Sequence, residues 1–189
     1  MIEVRWHGRG GQGTKTAALL LADVAFTQGM YVQGFPEYGP ERMGAPITAY
    51  TRISTSPIYI HSNIYNPDIV IVADDSLLNT IDVANGLKEK GGMIINTQLS
   101  QGQIRHLLPG YKENLYKIDA KSIALRNIRQ NMPNMPLLSS VVRISGIVKK
   151  DFFIKNMENV LKHRFASKQE VLKGNLKTLE EAWDEVERI

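Results

Sequence analysis

The residues with the clearest capacity for chemistry lie within the first fourteen. Gly8-Arg9-Gly10-Gly11-Gln12-Gly13 follows the β-prone run Ile2-Glu3-Val4-Arg5-Trp6 and precedes the helix-prone run Thr14-Lys15-Thr16-Ala17-Ala18-Leu19-Leu20-Leu21. Glycines at a strand-to-helix junction leave backbone N–H groups free to face outward at a helix N-terminus, which suits an anion. Gly8, Gly10 and Gly13 also satisfy G-x-G-x-x-G, the dinucleotide fingerprint. That fingerprint needs an acid roughly 20 residues on, at the end of the second strand. Here that strand ends Val32-Gln33-Gly34-Phe35, and the first acid beyond it is Glu37. A phosphate-cradling P-loop fails differently. Gly8 and Gly13 have its spacing, but Thr14 precedes Lys15, and one residue turns a helical side chain by about 100°. The dinucleotide match is therefore partial, and two further readings remain open for the turn: an anion or cofactor-tail site shared with another chain, or a tight bend that only permits close packing.

A second cluster is Phe35-Pro36-Glu37-Tyr38-Gly39-Pro40-Glu41-Arg42-Met43-Gly44-Ala45-Pro46. Its prolines restrict the backbone around Glu37, Tyr38, Glu41 and Arg42, as expected of a recognition surface; a solvated connection is the alternative. Asp74 and Asp75 end an apolar run where α/β sheets place ligands, or else cap the adjoining helix.

The chemistry that is missing narrows the class. With no cysteine the chain cannot carry disulfides, a catalytic thiolate or a cysteine-held iron–sulfur cluster. His7, His61, His106 and His163 are scattered without carboxylates at ligand spacing, so no metal site is expected. No nucleophile–base–orienter set is legible, and no catalytic residue is expected. A net charge of +4 spread along 189 residues lacks the dense stripe of a nucleic-acid binder. The longest apolar run, around Ala17 to Ala22, is too short to span a membrane, and a cytoplasmic location is expected. A ligand-like turn without machinery reads as part of an enzyme rather than a whole one.

The elements that must position these residues alternate. Thr14 is expected to cap a helix to about Gln28, followed by a strand from Tyr31 to Phe35. Ile47 to Ile53 and Ile58 to His61 flank Ser54-Thr55-Ser56-Pro57 and read as a hairpin. Asp68 to Ala73 reads as a central parallel strand, followed by a helix from Leu77 to Lys90 and a strand from Met93 to Asn96. A short helix near Gln101, the strand Leu115 to Ile118 and the helix Lys121 to Gln130 come next. After the breaker Met132-Pro133-Asn134-Met135-Pro136, helices are expected over 137–148, 151–164 and 168–188. The predicted fold is a single α/β domain over 1–189: a three-layer α/β/α sandwich with a mostly parallel sheet, a β-hairpin, a Rossmann-like opening βα unit and a C-terminal helical extension from about 151.

The run from Ile2 to Gly13, followed by Phe35 to Pro46, closely resembles the gamma subunit of 2-oxoacid:ferredoxin oxidoreductases, most of all the pyruvate synthase type. The likeness covers essentially the whole chain, including Pro67 to Val72, Gly92 to Thr97 and Ile118-Asp119-Ala120. It implies an enzyme that decarboxylates a 2-oxoacid on thiamine diphosphate and Mg, passes electrons through [4Fe-4S] clusters to ferredoxin, and releases an acyl-coenzyme A. Those cofactors would sit in alpha, beta and delta partners, and this chain would be non-catalytic alone, shaping the coenzyme A side. Under that resemblance, Gly8, Arg9, Gly10, Gly11, Gln12, Gly13 and Thr14 are the candidate coenzyme A contacts. Glu37, Tyr38, Glu41 and Arg42 become candidate subunit contacts. Family members carry Pro-Asn-Thr-x-x-Leu-Gly where this chain reads Pro133-Asn134-Met135-Pro136-Leu137-Leu138-Ser139. Ser139 for glycine implies a changed backbone approach and leaves phenylglyoxylate, 2-oxoglutarate or a branched-chain acid open beside pyruvate. A stand-alone nicotinamide-dependent reductase and a pure scaffold are the competing readings.

Overall fold

The computed structural model describes residues 1–37, 43–111, 114–165 and 168–189. In chain order the elements are β1 (Ile2–Arg9), α1 (Thr14–Phe26), β2 (Tyr31–Pro36), β3 (Pro46–Ser54) and β4 (Ile69–Val72). A short 3-10 helix (Asp75–Asn79) precedes β5 (Gly92–Asn96), α2 (Gln101–Leu107), β6 (Leu115–Ile118) and α3 (Ala120–Ile128). Then come α4 (Asn134–Ser145), α5 (Lys150–Arg164), α6 (Gln169–Glu185) and β7 (Glu187–Arg188). The seven strands form one sheet in the order β2-β3-β1-β4-β5-β6-β7. β1, β4, β5 and β6 run parallel, whereas β3 lies antiparallel between β1 and β2, and β7 antiparallel to β6.

Side chains alternate across a strand, so the parallel half feeds two cores. Val4, Trp6, Ile69, Ile71 and Ile94 pack on one face with Leu21 of α1, Leu138 of α4, Phe153 of α5 and Leu179 of α6. Val70, Val72, Met93 and Ile95 pack on the other with Leu77 and with Ile104 of α2. The expected α/β sandwich and its C-terminal helices are therefore present. Ser139, the residue standing where family members carry glycine, is fully buried on α4 and donates its hydroxyl to Leu179 O of α6 at 2.6 Å. It serves a helix–helix contact.

Three expectations about elements fail, each for a physical reason. Ile58 to His61 form no strand. Both edges of β3 are already taken, by β1 and β2, so the antiparallel partner of Ile47 to Ile53 is β2 rather than a following strand. The 58–63 segment instead turns the carbonyls of Ile60 and Asn63 onto the buried Arg52 guanidinium, at 3.4 and 3.3 Å. Leu77 to Lys90 form no long helix. Arg5, buried on β1, draws Val83 O and Asn85 O at 3.0 and 2.5 Å, carbonyls that a helix would use internally. Gly86 is also left-handed, with φ +72. Finally, the last helix stops at Glu185 and the chain ends as β7, with Ile189 N–H bonded to Leu115 O at 2.9 Å.

Residues of β1 on the second face are polar. Arg52 Nε meets Glu3 Oε1 at 2.9 Å, and Arg5 Nε donates to His7 Nε2 at 3.1 Å. His7 is 7% exposed and its Nδ1 has no partner. Burial first, and the neighbouring Arg5 charge second, lower its pKa from 6.5 to about 4. Between those values the unfolded chain binds a proton that the folded chain refuses, so stability is complete above pH 6.5 and falls as pH drops toward 4. The loss attributable to His7 is at most about 3 kcal/mol. His7→Gln keeps an acceptor for Arg5. Comparing urea unfolding of the two proteins from pH 7 to pH 4 should show the steeper decline in the native sequence; parallel curves would contradict the assignment.

Candidate functional site

The carboxyl ends of β1 and β4 meet the glycine turn. Gly11 and Gly13 adopt φ +94 and +74, conformations that disfavour side chains. The turn is zipped to the segment leading into β3: Gly10 N–H donates to Ala45 O at 2.9 Å and Gly44 N–H to Gly10 O at 3.0 Å. Gln12 ties its two ends together. Its Oε1 accepts from Arg9 N–H at 2.8 Å, and its Nε2 donates to Asp74 Oδ2 at 2.7 Å.

Helix α1 starts without a side-chain cap. Gly13 is the N-cap, with no side-chain cap bond, so Thr14 does not cap the helix as its type predicted. Thr14 instead turns inward, 2% exposed, with Oγ1 unpartnered and pressed onto Gly8, where any Cβ would collide with it. A Cβ at Gly13 would stand 2.8 Å from Asn134 Nδ2, at the first turn of α4. Two helix starts thus converge on one turn.

Arg9 is a strut as well as a charge. Its Nε and Nη2 donate to Ser76 Oγ at 3.2 and 2.8 Å, its Nη1 donates to Gly44 O at 3.0 Å, and Asp74 lies 3.5 Å away. Burial raises the Asp74 carboxyl, but hydrogen bonds from Ser76 and Gln12, together with the Arg9 charge, outweigh it and hold the group below its ordinary value. Asp74 also accepts from Ser76 N–H at 3.1 Å, capping the 3-10 helix. The crevice between β1 and β4, where an open α/β sheet takes a ligand, is consequently spanned by the protein's own Arg9 and Gln12.

The open space lies on the other side of the turn. A cavity of about 420 Å³ is lined by Gly10, Gly11, Gly13, Thr14 and Lys15 along one wall and by Met43, Ile47 and Met132 along another. Among the described residues, the N–H groups of Gly11, Gly13 and Thr14 have no partner. Lys15, which the helix rotation was expected to turn away, sits on this wall. A more polar cleft of about 280 Å³ at the ends of β4, β5 and β6 holds Asp75 and Asp119. Asp75 accepts from Thr97 Oγ1 at 2.6 Å, and Asp119 accepts from Ser122 N–H at 3.0 Å and Gln98 Nε2 at 2.8 Å, so these carboxylates cap and brace. Among the described residues no group of three or more His, Asp or Glu could hold a metal, and no helix is long and apolar enough to cross a membrane.

Glu37 follows β2, remote from the turn. It accepts from Tyr50 OH at 3.1 Å, and burial, then the Glu37 charge, push the Tyr50 hydroxyl up to about 12. Tyr38, Glu41 and Arg42 lie outside the described residues. Sequence reasoning missed Met132 and Ser76, set Lys15 aside for its offset from the P-loop pattern, and quoted Asn134 only within the family motif, without a role.

The family model for pyruvate ferredoxin/flavodoxin oxidoreductase matches residues 3–185. The chain belongs to that family. It is 44% identical over 187 residues to the "Pyruvate/ketoisovalerate oxidoreductases common subunit gamma" of Pyrococcus abyssi, covering 99% of this chain and 98% of that one. The crystal structure of pyruvate oxidoreductase subunit PORC from Thermotoga maritima superimposes with a TM-score of 0.85 at 38% identity, over 98% of this chain and 97% of its own. A 2-oxoglutarate:ferredoxin oxidoreductase from Magnetococcus marinus, with 2-oxoglutarate, coenzyme A and succinyl-CoA bound, shares the fold. Its TM-score is 0.70 at 16% identity, over 96% of this chain and 30% of that one. This protein is thus a gamma-type subunit of a multisubunit 2-oxoacid:ferredoxin oxidoreductase of the pyruvate class.

The turn is intolerant of side chains for the reasons above. Gly13→Ala would force a left-handed alanine against Asn134 and should cost about 1–3 kcal/mol. Chemical denaturation checks this, with Gly102→Ala as control: Gly102 lies in α2 with open space around it and should be neutral or stabilising.

Proposed function

We propose that this chain walls the coenzyme A side of a pyruvate:ferredoxin oxidoreductase and has no turnover alone. The observation that carries the reading is the glycine-turn cavity. Three unpartnered amides and Lys15 front one wall, and Met43, Ile47 and Met132 form the other. Coenzyme A has matching halves, a diphosphate for amides and a cation and a long, weakly polar arm for thioether and aliphatic surfaces. In this reading Gly8 and Gly13 set the approach of α1, while Gly10, Gly11, Gln12 and Thr14 form the rim. Arg9 holds the rim in place from the crevice side, through Ser76, Gly44 and Asp74.

The remaining assignments rest on the same reading. Thiamine diphosphate, its Mg and the [4Fe-4S] clusters reside in alpha, beta and delta partners, in keeping with a chain that has no cysteine. Ferredoxin is the acceptor, and the complex works in the cytoplasm. Glu37, Tyr38, Glu41 and Arg42 dock against the thiamine-bearing subunits. The Pyrococcus relative is described as common to pyruvate and ketoisovalerate enzymes. A subunit shared in that way leaves the choice of 2-oxoacid to its partners, and we assign the choice there in this protein too.

The nicotinamide reading loses its support in the sheet order. β3 intervenes between β1 and β2, placing the end of β2 about two strand spacings, roughly 10 Å, from β1. Glu37 cannot serve a ribose bound at the turn.

Arg9→Ala in the assembled enzyme should raise the Michaelis constant for coenzyme A by about tenfold, because the rim loses its charge-assisted brace. The constant for the 2-oxoacid should not change. Lys15→Ala should act in the same direction. Steady-state kinetics with each substrate varied would decide the matter. Impaired assembly with unaltered coenzyme A kinetics would make the turn an interface and end the phosphate role.

A further inference from the structure

β2 closes one end of the sheet, and its outer edge has no strand beside it among the described residues. Its register with β3, together with the bond from Glu37 N–H to Thr48 O at 2.9 Å, fixes the parity of the ladder. Tyr31, Gln33 and Phe35 turn their backbone groups toward β3, so Val32, Gly34 and Pro36 turn theirs outward. Val32 and Gly34 each offer an N–H and a C=O to that edge. Pro36 offers only a carbonyl, and its missing donor falls on the open side, where proline is tolerated. The strand Tyr31-Val32-Gln33-Gly34-Phe35-Pro36 carries no charge, the usual device for blunting an edge.

Exposed apolar side chains gather on both faces of this edge. On one face Leu19 of α1 lies against Gly34, its Cδ2 3.2 Å from where a Cβ would stand, and is still 38% exposed. Phe26, two turns further along α1, is 66% exposed. On the other face Tyr31 is 49% exposed and Ile60 46%. Ile60 O and Gln33 Oε1 share Arg52 Nη1, which places Ile60 beside β2.

We propose that β2 pairs antiparallel, across a two-fold axis, with β2 of a second copy of this chain, joining the two seven-stranded sheets into one. With Val32 opposite Gly34 of the second copy, each chain gives two donors and two acceptors, so the pairing closes four main-chain hydrogen bonds. The fit to a second copy comes from α1, which packs over β2 and β3 together. With strands about 4.8 Å apart, the two α1 axes then stand about 10 Å apart, the ordinary spacing of packed helices. The axis passes through Gln33, one residue from Gly34 and the Leu19 side chain that touches it. Leu19 and Phe26, wasted on solvent in one copy, become the seam.

The mass of the purified chain by light scattering or analytical ultracentrifugation, with two variants, tests this. Val32→Pro removes an outward N–H without touching the ladder to β3, and Leu19→Lys puts a charge in the seam. The native chain should be dimeric at micromolar concentration. Each variant should weaken dimerisation by about tenfold or more with a helical circular dichroism spectrum unchanged; should Val32→Pro misfold, Leu19→Lys alone decides. A native monomer, or a dimer indifferent to Leu19→Lys, overturns the proposal. In the assembled enzyme, the absence of cysteine from this chain allows a further check. Gln33→Cys would face its own copy across the axis at disulfide distance. Mild oxidation should give a covalent dimer of this chain, and a cross-link to a different subunit instead would overturn the pairing.

Discussion

The absence of a side chain at Gly8 sets the geometry of the whole carboxyl edge. Without a Cβ there, Thr14 can drop onto β1, and α1 can start against the sheet rather than above it. The same closeness at Gly13 brings in Asn134 and so fixes the start of α4. Once both helices are seated, the turn has few alternatives. Its outward amides lie between two helix N-termini, where the backbone dipoles favour an anion without any catalytic side chain. The buried Thr14 hydroxyl, left without a partner, is a real cost of that arrangement, about 1–3 kcal/mol. A hydroxyl tolerated at that cost marks how strongly the close approach is held.

A second layer of polar contacts governs the opposite face. Helix α2 and a short 3-10 helix cover that face over β4 and β5, but beside β1 and β3 it meets irregular chain, because two buried arginines bind backbone carbonyls. Arg5 takes Val83 O and Asn85 O, and Arg52 takes Ile60 O and Asn63 O. A guanidinium offers a rigid fork of five donors that coil carbonyls satisfy easily and helical carbonyls do not. Glu3 and His7 complete the layer as acceptors. The fold is therefore helical on one side, and on the other it joins α2 to arginine-stapled coil.

That division explains what was legible in the sequence. β4 and β5 were read correctly because their apolar runs report burial on both faces, and α1 because its periodicity is local, although its cap was misassigned. The 58–61 and 77–90 segments were misread because β-branched residues and helix formers gave the local preference. The deciding partners, Arg52 and Arg5, are distant in sequence or on another strand. The glycine turn was legible as a place, but not in its detail. That Arg9 would brace Ser76 and Gly44, or that Lys15 would reach the cavity wall, depends on where β4 ends and how α1 is seated. The family resemblance located the turn in an enzyme; only packing told which of its groups are engaged and which are open.

The inserted β3 bears most directly on function. In a dinucleotide-binding sheet the second strand lies beside the first, and an acid at its end reaches the ribose. Here the chain returns through β3 between them, so the same glycine pattern is separated from any such acid by an intervening strand. The crevice between β1 and β4 is in addition bridged by Gln12 to Asp74 and by Arg9 to Ser76. A fingerprint built for a pyrophosphate thus keeps its anion-favouring amides while losing both the ribose contact and the crevice. What is left is a short anion-favouring rim opening onto methionine-lined space on the outer side of the turn, away from the crevice. Such a site can hold one end of a long ligand, and the other end must be held by something else. For a subunit of a larger enzyme, this is the geometry that makes binding depend on assembly.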